Sequence, residues 1–117
     1  MGKLIVVKDV RDIVIITFLF DEINFEEREL LKKELSELIE NGGTRFIIDF
    51  SKIGFVSSLV ISVIVFFAKE VRKNNGSMKL SGLSGAALSI FELTHFDRIF
   101  ELYDTEEKAV ESYGITG

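Results

Sequence analysis

Apolar residues along the chain fall into blocks whose spacing switches between strand-like and helical. "KLIVV" (3–7) and "DIVIITFLF" (12–20) are apolar runs rich in β-branched residues, and the charged link "KDVRD" between them predicts a hairpin. In "FEERELLKKELSELIENGG" the spacing changes: Leu31, Leu35 and Leu38, with Leu30 and Ile39, mark one face of a helix. Asn24 can cap its first turn, Glu27 completes the pattern of a capping box, and Gly42 supplies the stop. "TRFIIDF" (44–50) is a third strand, apolar through its middle as strands covered on both faces are.

The next block, "IGFVSSLVISVIVFFA" (53–68), has no charge between Lys52 and Lys69. A bilayer span needs about 20 predominantly apolar residues. This run is shorter and is broken by Gly54, Ser57, Ser58 and Ser62, so membrane insertion is not expected. "KEVRKNNG" closes it with basic residues, then Asn and Gly, which predicts a helix of roughly seventeen residues starting near Ser57 or Ser58. A strand in "SMKLSGL", a short helix capped by Ser84, a brief strand "IFEL" and a last helix capped at Asp104 complete the order.

Strands separated by helices imply parallel pairing through right-handed crossovers, and the opening hairpin makes the sheet mixed. The expected architecture is α/β, one domain over residues 1–117, with an N-terminal hairpin strand, the remaining strands parallel and about four α-helices. Working groups in such sheets lie at the carboxyl ends of strands. For the third strand, that place is the pair Ser57 and Ser58.

Composition narrows the function. Nineteen acids against 14 bases give a net charge of −5, which disfavours nucleic acid as a partner. Cysteine is absent and His95 is the only histidine, so neither thiolate chemistry nor a histidine-based metal site is available. No cofactor or metal is expected. The start "MGKLIVVKDVRDIV" lacks the apolar core of a signal peptide, which implies a cytoplasmic address.

A serine at a helix start has an ordinary task, accepting a hydrogen bond from a first-turn N–H. That task needs one serine, and two are present. The other hydroxyl lies where the helix dipole and unpaired donors favour a phosphate.

The blocks "DFSKIGFVSS" and "FELTHFDRIF" followed by "YDTEEKAV", with "FDEIN" upstream, resemble in order the STAS domain family, in particular the bacterial anti-sigma factor antagonists. The resemblance runs from the second strand to the last helix. It implies a protein-binding regulatory module, not an enzyme, that sequesters an anti-sigma factor. It further implies that this partner, itself a serine kinase, phosphorylates Ser58 (Ser57 is the second choice) and that a PPM-type phosphatase reverses the step. A phosphate adds about −1.5 to −2 of charge at neutral pH. The chain departs from the family pattern at three places: Ser57 stands where an Asp precedes the phosphoserine, Val60 and Ser62 where Gly is usual, and Asn24 where an acid often follows the second strand. With those carboxylates gone, Asn24, Ser57 and Ser58 are expected to border a pocket for phosphate or sulfate. A helix apolar on nearly every side at its start needs cover, so the face near Val60 and Phe25 is expected to lie under a protein partner or a second copy of the chain, as a homodimer.

Two other functions compete. One is a STAS adaptor subunit of a transporter or stress-signalling complex, in which phosphorylation plays no part. The other is a receiver-like phosphoaspartate switch at Asp49, suggested by "FLFDEIN" followed by "RFIIDFS"; its usual lysine after the last strand is missing. "GFVSSLV" lacks the glycine spacing of a hydrolase elbow. His95 suits a surface or capping role.

Overall fold

The computed structural model describes residues 3–114. Strand β1 (Ile5–Val10) runs antiparallel to β2 (Ile13–Phe18), and α1 (Phe25–Glu40) crosses to β3 (Arg45–Asp49). Helix α2 (Ser58–Lys73) leads to β4 (Ser77–Ser81). Helix α3 (Gly85–Leu93), a 3₁₀ turn (Phe96–Arg98), β5 (Glu101–Tyr103) and α4 (Glu106–Ser112) follow. The sheet order is β1-β2-β3-β4-β5, with every pair after the first parallel. This is the single-sheet mixed α/β arrangement with four α-helices that the pattern predicts.

The hairpin is tighter than the predicted five-residue link. β1 continues through Lys8, Asp9 and Val10, and only Arg11 and Asp12 turn the chain, both at positive φ (48° and 69°). Two left-handed residues make the kind of turn whose twist matches the flanking strands, so the charged residues before it can pair as strand.

The two faces of the sheet bury different sets of side chains. Ile16, Phe18, Phe46, Ile48 and Leu80 meet Leu31 and Leu35 of α1, Val63, Ile64 and Phe67 of α2, and Phe91 of α3. On the other face Ile13, Ile15 and Ile47 lie beneath Ala109 of α4. β3 thus contributes alternate residues to two cores, which explains why it reads as a continuous apolar run. Tyr113 fastens the α4 face: its hydroxyl donates to Phe46 O (2.9 Å) and accepts from Ser77 Oγ (3.0 Å). Lys79 lies buried there, its Nζ donating to Ser112 Oγ at 2.8 Å and 4.1 Å from the Tyr113 ring centroid.

The capping box of α1 forms as predicted, Glu27 N donating to Asn24 Oδ1 (2.7 Å) and Asn24 N to Glu27 Oε1 (3.0 Å). Gly42, at φ 101°, ends the helix. Toward the C-terminus three details differ. The last strand is Glu101–Tyr103 and not "IFEL", because Phe96 to Arg98 wind into the 3₁₀ turn and Phe100 goes into the core. Thr105, not Asp104, caps α4, its Oγ1 accepting from Lys108 N (3.2 Å). Ser84 holds the N-cap position of α3, but its hydroxyl makes no capping bond. Among the described residues no helix is long and apolar enough to cross a membrane.

Candidate functional site

At the carboxyl end of β3 the chain leaves the sheet under tight control. The Asp49 carboxylate accepts hydrogen bonds from Ser51 N (3.3 Å), from Ser51 Oγ and, across to β4, from Ser81 Oγ (2.8 Å). Phe50 N donates to Ser81 O at 2.8 Å, and Gly82 (φ 76°) packs against the same carboxylate. A Cβ on Gly82 would stand 2.8 Å from both Asp49 Oδ1 and Ser51 N. Asp49 is therefore a clasp between strand ends. Both of its oxygens are engaged and the residue is buried, so it is not presented to a phosphodonor. Among the described residues no group of three His, Asp or Glu side chains is placed to hold a metal ion. Both findings weigh against the receiver reading.

The loop from this clasp delivers the serines. Ser57 is the N-cap of α2, extended at φ −78°, ψ 168°, and its Oγ accepts from Val60 N at 3.4 Å. Ser58 is the first helical residue and is exposed. Ser62, one turn on, spends its hydroxyl on Leu59 O (2.6 Å). The three serines of the apolar run thus have three different situations, and only that of Ser58 combines exposure with the positive end of the helix. No acidic residue stands in the first turn of α2, while Arg72 and Lys73 occupy its last, so both ends suit the dipole.

Val60 is fully buried, pointing into the core beside Val63 and Phe67. The expectation that it contacts a partner is corrected: the helix start is covered by the protein's own sheet and neighbouring helices. At this end of the sheet other apolar side chains stay uncovered. Leu19 (41% exposed) and Phe25 (62%) follow β2, and Phe55 (40%) follows β3. The Arg28 guanidinium sits 4.7 Å from the Phe25 ring centroid.

Asn24 belongs to the same end of the sheet, but its Oδ1 is taken by the α1 capping box. Asp21, which the sequence offers only as one of the two acids of the receiver-like "FLFDEIN", joins the two loops: its Oδ1 accepts from Gly54 N at 3.1 Å. It places a carboxylate at the corner where Asn24 and Ser57 carry none. Nothing in the sequence pairs positions 33 apart; the signal exists only once β2 and β3 are known to be parallel neighbours.

Residues 5–109 match the model of the STAS domain. The chain belongs to the STAS domain family. BtrV of Bordetella bronchiseptica, a candidate anti-sigma factor antagonist, is 27% identical over 102 residues, covering 87% of this chain and 88% of BtrV. A candidate anti-sigma factor antagonist of Thermotoga neapolitana is 30% identical over 105 residues, with 89% and 92% covered. Among solved structures, the crystal structure of a Thermotoga maritima protein of the same description superposes with a TM-score of 0.83 at 28% identity, covering 92% of each chain. Unphosphorylated SpoIIAA, an anti-sigma factor antagonist, superposes with a TM-score of 0.79 at 22% identity, covering 97% of this chain and 99% of its own, and shares the fold. In this STAS domain "DFSKIGFVSS" leads from the end of β3 to the start of α2, with Ser57 as the cap and Ser58 as the first helical residue.

Proposed function

We propose that this STAS domain is an anti-sigma factor antagonist that binds its partner through the end of the sheet carrying Ser58, Phe25 and Phe55, and that a phosphate on Ser58 switches binding off. The observation that carries this reading is the division of labour between the serines: Ser57 caps the helix, leaving the Ser58 hydroxyl exposed at a helix N-terminus. The helix tolerates an added anion there. A partner surface packed against Phe25 and Phe55 does not, because about −1.5 to −2 of charge would have to be desolvated among apolar groups. The partner is an anti-sigma factor with serine-kinase activity, a PPM-type phosphatase resets the switch, and both operate in the cytoplasm.

The anion site belongs to the same proposal in reduced form. Asn24 gives its acceptor oxygen to its own helix and Asp21 adds a negative charge nearby, so the amides of the first turn of α2 and the serine hydroxyls are what a phosphate would meet. In the second reading, an adaptor subunit without phosphorylation, the exposed Phe25 and Phe55 alone support docking.

Incubation with ATP and each histidine-kinase-like anti-sigma factor of the host, followed by mass spectrometry, tests the switch. Phosphate on Ser58, and partner affinity lowered about tenfold or more by Ser58→Asp, are expected. Stable complexes that never yield phosphoserine point to the adaptor. Phosphate on Asp49 overturns both readings.

A further inference from the structure

β1 forms one edge of the sheet, with a single neighbour, β2. Their register runs from Ile5↔Phe18 to Val10↔Ile13, and Leu19 N donates to Leu4 O at 2.9 Å immediately beyond it. Antiparallel alternation then directs the N–H and C=O groups of Leu4, Val6, Lys8 and Val10 to β2 and turns those of Ile5, Val7 and Asp9 outward.

Edge strands are ordinarily guarded by proline, by bulges or by a lysine that stands clear of the edge. The chain has no proline, and β1 pairs with β2 over six consecutive residues without a bulge. Its one lysine, Lys8, is tied down on the α4 side, Nζ lying 2.8 Å from Glu106 Oε2. Val6 (44% exposed) and Val7 (40%) are left uncovered on opposite faces of the strand.

We propose that β1 pairs with β1 of a second copy of this chain, antiparallel about a two-fold axis at Val6, to join two five-stranded sheets into one. Charge pattern selects this register. A two-fold perpendicular to the sheet keeps each residue on its own face, so only registers centred on a residue let outward amides meet. Centred on Val7, the pairing sets Ile5 against the Asp9 carboxylate. Centred on Lys8, it opposes two lysines and sets Val7 against Asp9. Centred on Val6, it places Ile5 against Val7, Val6 against Val6 and Lys3 against Asp9, twice by symmetry, with Leu4 beside the Lys8 stem. Opposite charges and apolar pairs directly across a ladder are favourable, whereas like charges are not. The antiparallel arrangement sends the two Ser58 ends in opposite directions, so the contact goes beyond the switch and leaves it open.

Sedimentation velocity of the full chain over a wide concentration range tests the dimer. A dimer fraction that rises with concentration is expected. Asp9→Lys and Lys3→Asp should each weaken association about tenfold, and the double exchange K3D/D9K should restore it. Val7→Pro removes an outward N–H that bonds nothing within the chain, so its thermal unfolding should stay cooperative while the dimer is lost. A chain that stays monomeric at every concentration overturns the proposal. A dimer untouched by Val7→Pro places the interface elsewhere, and a double exchange that fails to restore association overturns the register.

Discussion

Ser57 and Ser58 are adjacent in sequence, yet the structure gives them unequal weights in stability. Ser57→Ala removes the side-chain acceptor of Val60 N in the first turn of α2. Losing an N-cap costs about 0.5–2 kcal/mol, and the 3.4 Å separation places this one in the lower half, roughly 0.5–1 kcal/mol. Ser58→Ala removes an exposed hydroxyl and installs a better helix former, so its effect should stay within about 0.5 kcal/mol. For 117 residues, an unfolding entropy of about 2.1 cal/mol/K per residue gives roughly 250 cal/mol/K, so about 1 kcal/mol corresponds to roughly 4 °C in Tm. Calorimetry on the two variants should therefore show Ser57→Ala melting about 2–4 °C lower and Ser58→Ala nearly unchanged. If Ser58→Ala is the costlier change, the hydroxyls have exchanged roles, and the serine available for modification is Ser57. If both cost the same, neither is specialised and the division of labour fails.

Other consequences follow from the clasp, the α4 face and the exposed aromatics. Gly82→Ala forces a side chain into a left-handed backbone and against Asp49, so chemical denaturation should show a loss of about 2 kcal/mol or more; a neutral result would mean that the clasp opens readily. Burial pushes the Tyr113 hydroxyl above its usual 10.0. The unfolded chain therefore ionises first on raising the pH: the contribution is fully present below about pH 10 and is lost as pH climbs through the folded-state value. Tyr113→Phe should flatten that part of the alkaline profile while lowering neutral stability by about 1–2 kcal/mol, since Phe46 O loses its donor. Phe25→Ala should leave Tm within about 1 °C, because its side chain is 62% exposed, and Phe55→Ala, at 40% exposed, should lower it by a few degrees at about 1 kcal/mol, yet each should weaken partner binding several-fold in a titration. Unchanged affinity in both variants would move the docking face away from this end of the sheet.

Much of this protein is set by local rules that one chain segment obeys alone. The capping box of Asn24 and Glu27, the stop at Gly42, the apolar stripe of α1 and the doubly buried character of β3 each depend on residues a few positions apart, so they are legible in sequence. So is the helix start at Ser57 and Ser58, because serine immediately ahead of a long apolar stretch is a local capping signal. Local rules also mislead where a neighbour in space outbids them. "IFEL" reads as a strand, but Phe100 is worth more in the core than in a ladder, and pairing begins at Glu101. Val60 looks like a surface in need of cover until Phe67, Val63 and the sheet are seen to enclose it.

The decisions about the site belong to the tertiary structure. Asp49 could be a phosphoacceptor or a clasp on sequence grounds; Ser81, 32 residues away, settles it by donating to the same carboxylate. Asp21 reaches Gly54 only because parallel pairing of β2 and β3 puts their following loops side by side. Sequence determined which elements form and where the helix dipole would point, since capping, periodicity and turn chemistry act over a few residues. Which hydroxyl is free, which carboxylate is spent and which apolar side chains stay uncovered depend on contacts between distant segments, and only the assembled sheet with its helices decides them.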